Sequence, residues 1–174
     1  MICYELGQTE KAEKYWNESY NKKPNGWAMR NLAMLDKGAH KNLAGATEKI
    51  MKAVELTPNF SIIKDCATIL IQAKEYEKCI KTIDGVPAEM LENGRLKFYK
   101  AYCLNKLGRN VEASKIINYD FTMTDLKEGE VSVSELWYDI YGELLFGKEN
   151  TTEEERIEGV DEKMPLGKLD FRME

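Results

Sequence analysis

Residues Gly7 to Pro24, GQTEKAEKYWNESYNKKP, set the register for the rest of the chain. A turn glycine, an N-cap at Thr9 with Glu10 in the first turn, and a helical body broken by Pro24 and Gly26 read as the second helix of a helix-turn-helix hairpin. Tyr15, Trp16 and Tyr20 form its packing face. Its small residue, Ala12, returns as Ala46, Cys79 and Ala113, at steps of 34, 33 and 34 residues. Trp16, four places later, keeps the same steps as Ile50, Ile83 and Ile117. One hairpin cannot bury its own apolar face, so like hairpins stack, and small residues mark where helices cross most closely.

Working outward, the second unit runs from Trp27 to Pro58, with Leu32, Met34 and Leu35 in its first helix and Gly38 ending it. Asn42 caps the second helix, where Leu43, Ala46, Ile50, Ala53 and Val54 make one apolar stripe. The third unit starts with Phe60, Ile63, Cys66, Ala67 and Leu70, turns at Lys74 and Glu75 without a glycine, and continues through Tyr76, Cys79, Ile80 and Ile83. Pro87 to Asn93 reads as a short extra helical turn. The fourth unit carries Leu96, Phe98, Tyr99, Ala101, Tyr102 and Leu104 up to Gly108, then Val111, Ala113, Ile116 and Ile117.

Residues 1–119 are therefore expected to be repeats, the first of them truncated. MICYEL reads as the end of a helix, which suggests the C-terminal piece of a longer polypeptide and self-association through Met1, Ile2, Tyr4 and Leu6. Residues 120–164 are expected to be a loop followed by capping helices. Ser132 with Glu135, and Thr152 with Glu155, have capping-box spacing, and Leu136, Trp137, Ile140, Leu144 and Leu145 form a stripe that closes the stack. Residues 165–174 alternate Leu169, Phe171 and Met173, which predicts an extended tail docking on the chain itself or on an upstream domain.

The formal net charge of −5 argues against a grip on phosphate backbones, and hence against a nucleic-acid partner. No apolar run approaches the roughly 20 residues that span a bilayer, and Met1 does not open a secretory signal. Cys3, Cys66, Cys79 and Cys103 lie far apart, without a CxxC pair, and read as buried thiols suited to a reducing, cytoplasmic compartment.

Metal motifs and a glycine-rich phosphate loop are missing, so no cofactor is expected. His40, the single histidine, sits in the turn GAHKN with no evident partner to orient it and reads as a surface residue, not a general base. Asp125, Glu128 and Glu130 form an acidic knot that in principle offers paired carboxylates for glycoside chemistry, but they fall in a loop and read as solvated.

The register, turn glycines Gly7 and Gly108, alanines Ala12, Ala46, Ala53 and Ala113, and boundary prolines Pro24 and Pro58 resemble the tetratricopeptide repeat superfamily. The aromatic-Leu-Gly signature of that family is missing from the first helices of units two to four. The resemblance implies an all-α, right-handed α-α superhelix of about four hairpins. DLKEGEVSVSELW at Asp125 to Trp137, GRLKFYKAYCLNKLGR at Gly94 to Arg109 and LDFRM at Leu169 to Met173 are similar to the end of a family of large bacterial proteins. Those carry such repeats behind a galactose-mutarotase-like domain of unknown function, which implies a carbohydrate-related parent with its chemistry upstream.

In a stack of this kind the concave face is lined by first helices. The register places Asn31, Leu35, Lys64, Thr68, Ile71, Arg95, Phe98, Tyr102 and Asn105 there, a mixture suited to an acidic or extended peptide. The expected function is a non-catalytic scaffold that packs against or assembles a larger protein. The alternatives are a stand-alone peptide-binding module and an independent enzyme acting through Glu128 or Glu130.

Overall fold

The structure is a computed structural model and describes residues 7–126, 132–147 and 152–168. Among the described residues it is all-α, with ten α-helices, one 3-10 turn and no strand. The chain divides into two compact units, Met1–Val86 and Pro87–Glu174.

The first unit holds α1 (Thr9–Lys22), α2 (Gly26–Gly38), α3 (Leu43–Leu56), α4 (Phe60–Gln72) and α5 (Tyr76–Asp84). Each helix packs on the next, and α2 also reaches α4. The second unit holds α6 (Ala88–Leu91), α7 (Gly94–Lys106), α8 (Asn110–Ile116), α9 (Ser132–Phe146), α10 (Glu153–Lys163) and a 3-10 turn at Leu166–Lys168. Here α7 packs on both α8 and α9, α8 on α9, and α9 on α10.

Three residue columns keep the period of about 34. The first is the expected one: Ala12, Ala46, Cys79 and Ala113 are all buried, as are Ile50, Ile83 and Ile117, while Trp16 is half-buried. A methyl or thiol there lets neighbouring helix backbones approach, and any larger side chain would overpack the crossing.

The second column is left-handed backbone. Positive φ occurs at Gly7 (72°), Lys41 (54°), Lys74 (59°) and Gly108 (73°), again in steps of 34, 33 and 34, and each stands two residues before a second helix. The left-handed residue ends the first helix: Glu75 N donates to Leu70 O at 2.8 Å and Arg109 N to Leu104 O at 2.9 Å, closing the same ring at both hairpins. Lysine in this conformation costs about 1–2 kcal/mol that glycine avoids, so packing on both sides must impose the turn at Lys41 and Lys74.

The third column is asparagine. Asn25, Asn59 and Asn93 each cap a first helix, their side-chain oxygens accepting from Ala28 N at 2.8 Å, Ser61 N at 3.0 Å and Arg95 N at 2.9 Å. They stand 34 residues apart. Each cap satisfies a donor left over at a helix start and contributes about 1 kcal/mol.

Several local expectations need correction. Thr9 is already helical, so Gln8 occupies the N-cap and no side chain caps α1. Ser132 is likewise the first helical residue of α9. The Thr152–Glu155 capping box does form, with both bonds present at 2.8 and 3.2 Å. In α9, Val133, Leu136, Trp137, Ile140 and Tyr141 are buried, but Leu144 is 40% and Leu145 36% exposed. Glu143 meets Asn110, the first residue of α8, and Phe146, the last apolar residue of α9, is half-buried against Gly159 of α10. Leu166–Lys168, expected to be extended, makes one 3-10 turn.

The segment after α8 is a loop, as expected, but it is not simply solvated. Phe121 and Met123 are buried, because the loop folds back over the start of α7.

Candidate functional site

The first-helix face of unit one is organised by a salt link that the sequence reading missed. Arg30 on α2 donates through Nε to Asp65 on α4 at 2.6 Å, and its Nη1 donates to the side-chain oxygen of Asn31 at 3.1 Å. The hydroxyl of Thr68 donates to the Asp65 carbonyl at 2.8 Å, and Lys64 Nζ lies 6.0 Å from the Phe60 ring. Asn31 and Thr68 are therefore gathered around one inter-hairpin ion pair, and they and Lys64, which precedes Asp65, are all half-buried. Trp27, one turn before Asn31 on α2, is 46% exposed. Leu35, placed on this face by the register, is buried in the core, and Ile71 is half-buried.

In unit two the register overestimates exposure. Arg95 is buried: its Nε donates to Asp125 Oδ1 at 2.9 Å and its Nη2 to the Asp125 carbonyl at 2.8 Å. The returning loop supplies this partner, so Arg95 clamps the loop to α7. Phe98 is also buried, with its ring 5.9 Å from Tyr99 and 6.4 Å from Tyr102. Asn105 is buried and donates to the Asn110 side chain at 3.0 Å, and Asn110 in turn donates to Glu143 at 2.5 Å. Tyr102 stays half-buried, with Lys106 Nζ 5.1 Å above its ring. Glu128 and Glu130, like Met1, Ile2, Tyr4, Leu6, Leu169, Phe171 and Met173, lie outside the described residues.

His40 is not partnerless. Its Nδ1 lies 3.0 Å from Asp36 Oδ1 and its Nε2 3.6 Å from Glu13 on α1, while Lys49 on α3 reaches Asp36 Oδ2 at 2.5 Å. Asp36 is buried; burial alone would push its carboxyl up, but hydrogen bonds from Lys49 and His40 outweigh that and hold it below the usual range. The group joins three helices at one turn.

The three described thiols are buried. Burial, with the Asp65 charge beside it, pushes the Cys66 thiol up to about 12. Cys79 and Cys103 are fully buried. Among the described residues no group of three or more His, Cys, Asp or Glu is placed to hold a metal ion, and no helix is long and apolar enough to cross a membrane.

The polar residues follow a pattern. Arg30–Asp65, Lys106–Asp139 and Asn110–Glu143 each join residues 35, 33 and 33 positions apart, one repeat along the chain. The first fastens one hairpin to the next, and the other two fasten α7 and α8 to α9. No protein-family model, no curated protein and no solved structure matches the chain.

Proposed function

We propose that the chain is a non-catalytic helical-repeat interaction module of the tetratricopeptide class, which meets a protein partner through the first-helix faces of its hairpins. The observation that carries this reading is the shared period of three chemically unrelated columns: small buried residues, left-handed turn residues and asparagine caps. Each column serves a different physical need, so their agreement points to one hairpin design used repeatedly.

The use of the polar side chains supports a binding role over a catalytic one. Asp36, His40, Arg95, Asp125, Asn110 and Glu143 are all engaged in holding helices, or the returning loop, in place. Asn31, Lys64, Thr68 and Tyr102 keep partial exposure on rigid helices, so a partner meets pre-ordered groups and loses little entropy in ordering them. The resemblance to bacterial proteins names a mutarotase-like domain as the first surface to try.

A photo-crosslinking residue at position 31, 64 or 102, in the chain expressed beside such a domain, tests this. Adducts are expected from those positions and not from position 52, where Lys52 is exposed on α3. Equal yields from position 52, or adducts from none of the four, contradict the reading.

A further inference from the structure

Helix α10 is held to α9 in an unusual way. Of its eleven residues only Val160 is buried; beside it Gly159 lies against the Phe146 ring of α9, and Lys163 Nζ stands 5.0 Å from that ring, so the apolar hold is narrow. A cleft of about 370 Å³ lies between the two helices, with Glu135, Asp139 and Glu143 of α9 on one wall and Glu153 and Arg156 of α10 on the other. The three α9 carboxylates repeat at four-residue spacing, with Asp139 paired to Lys106 at 3.2 Å and Glu143 accepting from Asn110, and Glu153 faces them from across the gap. Arg156 reaches across the cleft without an ion pair among the described residues: its Nη2 donates to the Gly147 carbonyl, while its buried Nε meets no acceptor among them.

The rest of the hold is a row of polar pins at its far end. The Tyr138 hydroxyl donates to Asp161 at 2.7 Å, the Trp137 indole N–H to the Met164 carbonyl at 3.0 Å, and the Tyr119 hydroxyl to the Pro165 carbonyl at 3.5 Å. The last two pins grip successive carbonyls of the strap that follows α10. Beneath them lie Tyr119, Trp137 and Tyr141, whose neighbouring ring centroids are 5.1 and 4.4 Å apart.

We propose that α10 and the strap 164–168 form a releasable latch that leaves α9 as one cooperative unit and uncovers this aromatic cluster, while α7, α8 and α9 stay folded. The pins let go together because their partners, Asp161, Met164 and Pro165, lie within one turn and a half of chain.

The test uses the full chain carrying Val160→Cys, with native Cys103 in the core of α7 as internal clock, since both positions are fully buried. The introduced thiol is expected to be alkylated about ten-fold faster than Cys103 or more, and the amides along α10 to exchange with one common protection. Tyr138→Phe removes one pin and is expected to speed both signals about five-fold with Cys103 unchanged. Alkylation at the rate of Cys103 overturns the proposal, because α10 would then open only with the whole unit. A gradient of exchange rising towards Lys163 also overturns it, because that is fraying. Should Val160→Cys unfold the unit, amide exchange in the unsubstituted chain still separates common protection from a gradient.

Discussion

Gly94 opens α7 directly beneath the loop that interrupts the repeat, and replacing it with alanine has a cost that the geometry sets. An added Cβ would lie 2.8 Å from Met123 Cα and closer still to the Thr122 carbonyl oxygen, where ordinary contact begins at 3.4 Å. Both neighbours are backbone, so no side-chain rotation relieves the clash, and the loop must retreat by more than half an ångström. That loop carries buried Phe121 and Met123, and also Asp125, which clamps Arg95. Each apolar side chain is worth about 1.5–3 kcal/mol when fully buried, and a partial loss of both, offset by at most about 1 kcal/mol of helix propensity, leaves a net cost of roughly 2–3 kcal/mol. In a unit of this size that lowers Tm by roughly 10–20 °C. Gly142, inside α9, has its nearest atom at 3.8 Å, so the same substitution there should stabilise by about 0.5–1 kcal/mol. With Trp16→Phe and Trp27→Phe as background, Trp137 fluorescence reports unit two in urea. A Gly94→Ala change within about 0.5 kcal/mol of the parent, or a destabilising Gly142→Ala, would refute the reasoning.

Asp36→Asn should cost about 1–3 kcal/mol at pH 7, because Lys49 and His40 lose the charge that they hold. The folded Asp36 carboxyl titrates below its unfolded value near 3.9, so its contribution is complete above that pH and lost as pH falls through the folded value. Urea midpoints of parent and variant should therefore differ at pH 7 and converge in strong acid. Lys74→Gly should raise stability by about 0.5–1 kcal/mol, because glycine enters the left-handed turn without steric cost; Tm checks the sign. Asn59→Ala should lose about 1 kcal/mol, and Asn59→Asp, which keeps an acceptor at the cap, should restore most of it, as read by urea denaturation.

Ala12, Ala46, Cys79 and Ala113 are legible in the sequence because side-chain bulk at a helix crossing is constrained locally, whatever the partner. Asn25, Asn59 and Asn93 obey an equally simple rule, yet Pro24 and Pro58 precede the first two while Glu92 precedes the third, so the boundary signal hides the cap. Lys41 and Lys74 are opaque for a different reason: their left-handed backbone is imposed by packing, against their own preference. Arg95, Phe98 and Asn105 fall on the face that the helical period assigns to the concave side. A returning loop, a neighbouring ring and the side chain of Asn110 cover them, and none of these is encoded in the period of α7. Arg30–Asp65 and Asn110–Glu143 become readable only once the repeat register is known, since the partners are one repeat apart.

Single cysteines at Ala12, Ala46 and Ala113, together with native Cys79, put a thiol of nearly unchanged bulk at every member of the small-residue column. The account predicts that all four resist alkylation in the native chain while cysteines placed at Lys11, Glu48, Lys78 and Glu112, exposed neighbours on the same helices, are modified completely. A column thiol that reacts as fast as its exposed neighbour would mean that its helix does not cross another there, and the repeated hairpin would be wrong.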